Sequence, residues 1–194
     1  MAVAVGLSAG LVSDLIVFKR EDHPGASFGL FVVPSVILGV VTVTWTRAVG
    51  VGLTAHVFVV LGHFLGARLT EHGQDSGEYG GWLALAFFLG PLLGYLGYLI
   101  RSRWKAPRAV ATGFLVGLIL CPFFFWQQGE NYFAENMNSF TIAFDVLLMV
   151  MVLALCRGIV VRGVAVAVSV FLSWVVPVFP FLLLTLMVFI GGPE

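Results

Sequence analysis

Four ionisable side chains stand in surroundings that are almost wholly apolar: Asp14, His56, His63 and Asp145. Charge within hydrocarbon is costly, and groups found there commonly line a solute path, a proton relay or a binding pocket. Counting helix rise from the ends of the apolar runs puts Asp14, His63 and Asp145 roughly 6–9 Å below one boundary. His56 is expected about two turns deeper, on the same face as His63, because seven residues make nearly two helical turns. The chemistry this predicts is a polar pocket open to the outer membrane face, walled by Asp14, His63 and Asp145 with His56 at its floor. A cationic or hydrogen-bonding solute, or a proton, would suit it. The competing reading has each group snorkelling or bonding locally near the interface.

Other chemistries are poorly served. His56 and His63 lie about 10 Å apart along one helix, too far to share an ion, and no other histidine falls within an apolar run. Neither a metal nor a cofactor is expected. GLSAG (6–10) lies in an apolar helix and GASFG (25–29) in a polar turn. Neither has the strand–turn–helix setting of a nucleophile elbow. No HExxH, P-loop or intramembrane lysine occurs. Cys121 and Cys156 form no CxxC and are expected near opposite membrane faces, which excludes a mutual disulfide. The protein is therefore expected to be non-enzymatic.

The elements that must position these residues follow from composition. The chain has 194 residues, 60% hydrophobic and 10% charged, with mean hydropathy +1.04. Soluble domains carry about 25% charged residues, so this chain lacks the means to cover a water-facing surface. Apolar runs reach the roughly 20 residues a helix needs to cross a bilayer. A β-barrel would show short alternating segments instead. The fold class predicted is all-α: a polytopic transmembrane helical bundle, residues 1–194 forming a single integral membrane domain. Seven spans can be drawn, at about 2–18, 28–46, 48–67, 81–100, 109–126, 139–156 and 163–190. A tight turn at Arg47 separates the second and third. PVFP at 177–180 is expected to kink or divide the last, so six spans is the alternative. The first span lacks a basic n-region and reads as a retained helix, not a cleaved signal peptide. Zero net charge gives no reason to expect a nucleic-acid partner.

Basic residues set the orientation. With the N-terminus cytoplasmic, Arg47, Arg101, Arg103, Lys105, Arg108, Arg157 and Arg162 lie inside, and Lys19, Arg20 and Arg68 outside. The loop carboxylates (Glu21, Asp22, Glu71, Asp75, Glu78, Glu130 and Glu135) all fall on the outer side. The basic loop RSRWKAPR (101–108) is expected against anionic inner-leaflet headgroups. The aromatics before Gln127 suit an outer interfacial belt.

Trp82–Arg108 organises the rest. It combines a span, a break expected at Gly90-Pro91, and glycines at 90, 94 and 97. Small residues four apart let helix backbones approach closely. Gly6, Gly10, Gly90, Gly94 and Gly97 are therefore the predicted packing positions, with Ala48/Gly52 and Gly113/Gly117 spaced alike. Such faces would dock helices within the chain, or meet a membrane partner subunit or a second copy.

A Trp-led span containing GPLLGYLG, then an Arg-rich loop and an AxxxGFLVG-type helix, resembles a family of uncharacterised small multi-pass actinobacterial membrane proteins. The likeness covers roughly residues 48–120 and implies no activity. Size and span count are also similar to the substrate-binding membrane subunits of energy-coupling factor importers. The small-residue faces match in kind the faces with which those subunits dock onto a transmembrane partner. The reading that follows is a multi-pass protein of the bacterial inner (plasma) membrane that binds or transports a small solute. The alternatives are a non-catalytic accessory subunit of a larger membrane complex and an intramembrane lipid-modifying enzyme.

Overall fold

Long runs of Leu, Val, Ala and Phe with few charges leave the backbone little choice but to satisfy its own hydrogen bonds, and every regular element among the described residues is a helix. The computed structural model describes residues 1–17, 28–69, 76–124, 139–156 and 158–173. They contain helices α1 (Ala2–Val17), α2 (Phe28–Val41), α3 (Trp45–Leu69), α4 (Ser76–Ile100), α5 (Lys105–Phe124), α6 (Ser139–Leu155) and α7 (Ile159–Ser173). Trp45–Leu69 and, within α4, Gly80–Ile100 are long and apolar enough to cross a membrane. The PVFP motif and the loop after α5 lie outside the described residues.

Two local expectations are corrected. The turn between the second and third segments falls at residues 42–44 and not at Arg47, which lies in the first turn of α3. Thr44 explains the shift: its Oγ1 accepts the Arg47 N–H at 3.4 Å, the role of an N-cap. Nor does the chain break at Gly90-Pro91, since α4 continues through Pro91. Proline removes one helical hydrogen bond, but a frayed backbone in apolar surroundings would leave several more groups unsatisfied. Pro34 is carried inside α2 in the same way.

Contacts define the helix directions. Gly6 meets Ala55 and Val59 while Gly10 meets Val59 and His63, so α1 and α3 run parallel. Gly90 faces His56 and Gly94 faces Ala48, so α4 runs against α3. Phe31 lies by His63 and Ser35 by Gly52, so α2 also opposes α3. The α1–α3 and α3–α4 pairs are the most extensive packings; α6 packs on α5 and α2. The main core gathers Val32 and Val36 of α2, Leu93 and Leu96 of α4, Leu115 and Ile119 of α5, and Leu148 of α6. Gly113 and Gly117 of α5 lie against Ala165 and Ser169 of α7.

The three short turns share one end of this arrangement. Arg101 Nη1 donates to Val40 O at 2.9 Å, and Arg108 donates to Ser102 O. Thr112 Oγ1 and Cys156 Sγ form a hydrogen-bonded pair at 2.8 Å, and Arg162 Nε donates to Cys156 O at 3.0 Å. Arg47, Arg101, Arg103, Lys105, Arg108 and Arg162 thus collect at one end, with Arg68 at the far end of α3. Arg157 lies outside the described residues.

Fully buried Ser35 of α2 donates from Oγ to Gly52 O of α3 at 3.2 Å. Ser35→Ala is expected to lower stability by about 1 kcal/mol, read as a lower melting temperature of the detergent-solubilised protein. A wild-type melt would show that bond to be dispensable.

Candidate functional site

The histidines of α3 project from the face that meets α1, α2 and α4. His56 is 4% and His63 7% exposed. Glycines create the room: Gly10 of α1 and Gly62 of α3 touch backbone to backbone, which brings Ser13 of α1 to His63. Ser13 is itself buried. Its hydroxyl donates to Gly10 O at 2.7 Å and lies 3.4 Å from His63 Nδ1. The direction of that contact follows the imidazole tautomer.

Phe31 of α2 links the two histidines. Its ring meets His63 edge-on, with centroids 5.2 Å apart, and stacks on Trp82 of α4 at 6.4 Å. Its backbone is a hydrogen-bond partner of His56. His56 Nδ1 is buried and has no hydrogen-bond partner among the described residues. Buried polar atoms are nearly always satisfied, so such an atom calls for a ligand or water. The apolar patch of Val60, Phe64 and Ala86, joined by Val57 and Leu83, closes one side of the group.

The other predicted residues are placed differently. Asp14 follows Ser13 on α1, and its side chain lies outside the described residues. Asp145 is fully buried on α6, whose packing is with α5 and α2. Counted from the shared end of the short turns, Asp145 stands about eleven residues up α6, or roughly 16 Å. His56 stands about as far up α3. Asp145 is therefore near the height of His56, whereas Asp14 adjoins Ser13 at the height of His63. Of the predicted packing glycines, Gly6 and Gly10 lie against α3, Gly90 against α3, Gly94 against α2 and α3, and Gly97 against Val36 and Val40 of α2.

Sequence reasoning missed Ser13 as a partner. It lies three residues past Gly10, on the face that the Ala2/Gly6/Gly10 spacing had marked, and that was the available signal. A cleft at the basic end was missed as well. It measures about 520 Å³ and lies between the α2–α3 turn (Thr42, Val43) and the α4–α5 turn (Arg101–Trp104), beside Tyr98. Among the described residues no three His, Cys, Asp or Glu side chains gather as a metal-ligand set.

Comparison with known proteins adds a family to this geometry. Residues 25–186 match the model of a family of unknown function, DUF6518. The chain belongs to the DUF6518 family. The matched span takes in the GPLLGYLG helix, both histidines, Asp145 and the basic loop, and leaves out Ser13 and Asp14. The expectation of an uncharacterised family is met at that level. No curated protein and no solved structure matches the chain.

Proposed function

We propose that this protein is a multi-pass bundle of the bacterial plasma membrane that binds a small hydrogen-bonding solute at the His56–His63–Ser13 group. The N-terminus and the three short turns face the cytoplasm, and the solute enters from the opposite side. The apolar exterior supports the membrane placement. Phe87, Phe88 and Leu92 of α4, Val146, Leu147, Val150 and Met151 of α6, and Ile159, Val160 and Phe171 of α7 are all exposed. Apolar patches of that extent on a soluble monomer would drive association, whereas lipid chains solvate them.

The observation that carries the solute reading is the His56 imidazole, buried two turns from a second histidine on the same helix face, with no hydrogen-bond partner for Nδ1 among the described residues. His56 Nδ1 offers a hydrogen-bonding position within a mostly aromatic and aliphatic wall, the composition of a small-molecule site.

Native mass spectrometry of protein purified from membranes in mild detergent tests this. A small-molecule adduct on the wild type that is absent from His63→Leu is the expected result. A bare polypeptide mass in both, or a stoichiometric protein partner unaffected by His63→Leu, would instead make the protein an accessory subunit with structural histidines.

A further inference from the structure

The cleft at the basic end has the attributes of a ligand site, and its lining identifies the chemistry. Its volume of about 520 Å³ falls in the usual range for small-molecule sites, about 300–1,000 Å³. Arg101 and Arg103 supply two guanidinium groups, whose planar forks suit phosphate oxygens. Val43 and the exposed Trp104 supply apolar surface next to them. Arg101 is held in place because Nη1 donates to Val40 O. Ser102 Oγ accepts the Trp104 N–H at 3.2 Å, which fixes the turn that presents Arg103. No Asp or Glu occurs in any of the three turns at this end, and Arg101 and Arg103 form no salt bridge among the described residues. The cleft is thus positive and uncompensated, with an apolar margin.

We propose that this cleft binds the phosphate of an anionic phospholipid headgroup, the guanidinium groups of Arg101 and Arg103 holding the phosphate and Val43 and Trp104 the glycerol and upper acyl chain. Lipid is favoured over a soluble phosphate compound because Trp104, 77% exposed, is the amphipathic side chain typical of the headgroup level. Its position beside two arginines places apolar contact and charge on one molecule. The proposal rests on the membrane placement argued above but is independent of the histidine site.

The test is lipid binding by the full chain in neutral detergent, titrated with short-chain phosphatidylglycerol, phosphatidylcholine or glycerol 3-phosphate and followed by native mass spectrometry. Phosphatidylglycerol is expected to bind at least about tenfold more tightly than either of the others. Arg103→Gln, which disturbs no hydrogen bond of the fold, is expected to weaken it about fivefold, the equivalent of one cation near an anionic surface. Arg101→Gln is expected to weaken it further, since the anchored guanidinium is lost. Lys105→Gln, at the same end but outside the cleft, should bind as the wild type does. Equal affinity for the two lipids overturns the proposal, as does glycerol 3-phosphate binding as tightly as phosphatidylglycerol. An equal loss in Lys105→Gln and Arg103→Gln would show diffuse surface charge and also overturn it. A chain that behaves as a soluble monomer without detergent would instead defeat the membrane placement itself, so the two failures are distinguishable.

Discussion

Gly94→Val is expected to yield no monodisperse folded protein. Gly94 lies where α2, α3 and α4 cross, and a Cβ there would overlap the Ala48 carbonyl oxygen and lie 2.9 Å from Gly52 Cα. On the other side, Gly39 of α2 lies directly against the Gly94 backbone. Overlap with the far end of a flexible side chain can be relieved by a rotamer change, but here backbone meets backbone on both sides. Relief therefore requires moving whole helices, and with them the contacts of Gly52 with Gly90 and of Gly97 with Val36. Overpacking typically costs about 1–3 kcal/mol where side chains can adjust; with rigid neighbours Gly94→Val is expected at or above about 3 kcal/mol. Gly94→Ala should fall between that variant and the wild type. Gly50 is the control, because a Cβ added there meets nothing within 4 Å. Gly50→Ala is expected to stabilise by up to about 1 kcal/mol through helix propensity alone. Thermal melts of the detergent-solubilised proteins, read by size-exclusion recovery, check the series. Wild-type recovery of Gly94→Val would show that the three-helix crossing is looser than its geometry indicates.

His56→Leu is expected to abolish solute binding while leaving the fold about as stable. An unsatisfied buried polar atom costs about 1–3 kcal/mol, and His56 Nδ1 is one among the described residues. Leucine has nearly the volume of histidine and no polar atom, so the substitution removes that cost without opening a large void, while it gives up the hydrogen bond to the Phe31 backbone. A melting temperature close to that of the wild type is expected, because the two effects offset each other, together with at least tenfold loss of the adduct. The opposite pattern, a lower melting temperature with the adduct intact, would make His56 a structural residue and remove it from the site. His63→Leu differs in stability, because it gives up the contact with the buried Ser13 hydroxyl and the edge-on contact with Phe31. It should cost stability as well as binding. That contrast separates the two histidines, which the sequence places on one helix face at different depths.

Their common face was legible without coordinates because both belong to one helix, where direction repeats every 3.6 residues. For the same reason Gly6 with Gly10, and Gly90 with Gly94, were recognisable as faces of close approach: each pair lies one turn apart in a single element. The all-helical character followed from the length of the apolar runs, and the collection of Arg47, Arg101, Arg103 and Lys105 at one end followed from the alternation of short turns. Such properties are local, or follow from counting how often the chain reverses.

What those faces meet was not local. Ser13 became the partner of His63 only because α1 runs parallel to α3 with Gly10 against Gly62, a register decided by which glycines can interlock. Asp145 came to the α5–α6 layer because α6 packs on α5 and α2, a choice between neighbours that the apolar runs leave open, since any of them could cover any other. The cleft required two turns distant in sequence, residues 42–44 and 101–104, to stand side by side, and it is the Arg101 bond to the Val40 carbonyl that joins them. Sequence alone thus determined the helices, their direction of charge and the faces they offer. The pairing of those faces, and with it the composition of both candidate sites, was decided by tertiary packing, because backbone-to-backbone contact between helices depends on surface shape as well as on hydrophobicity.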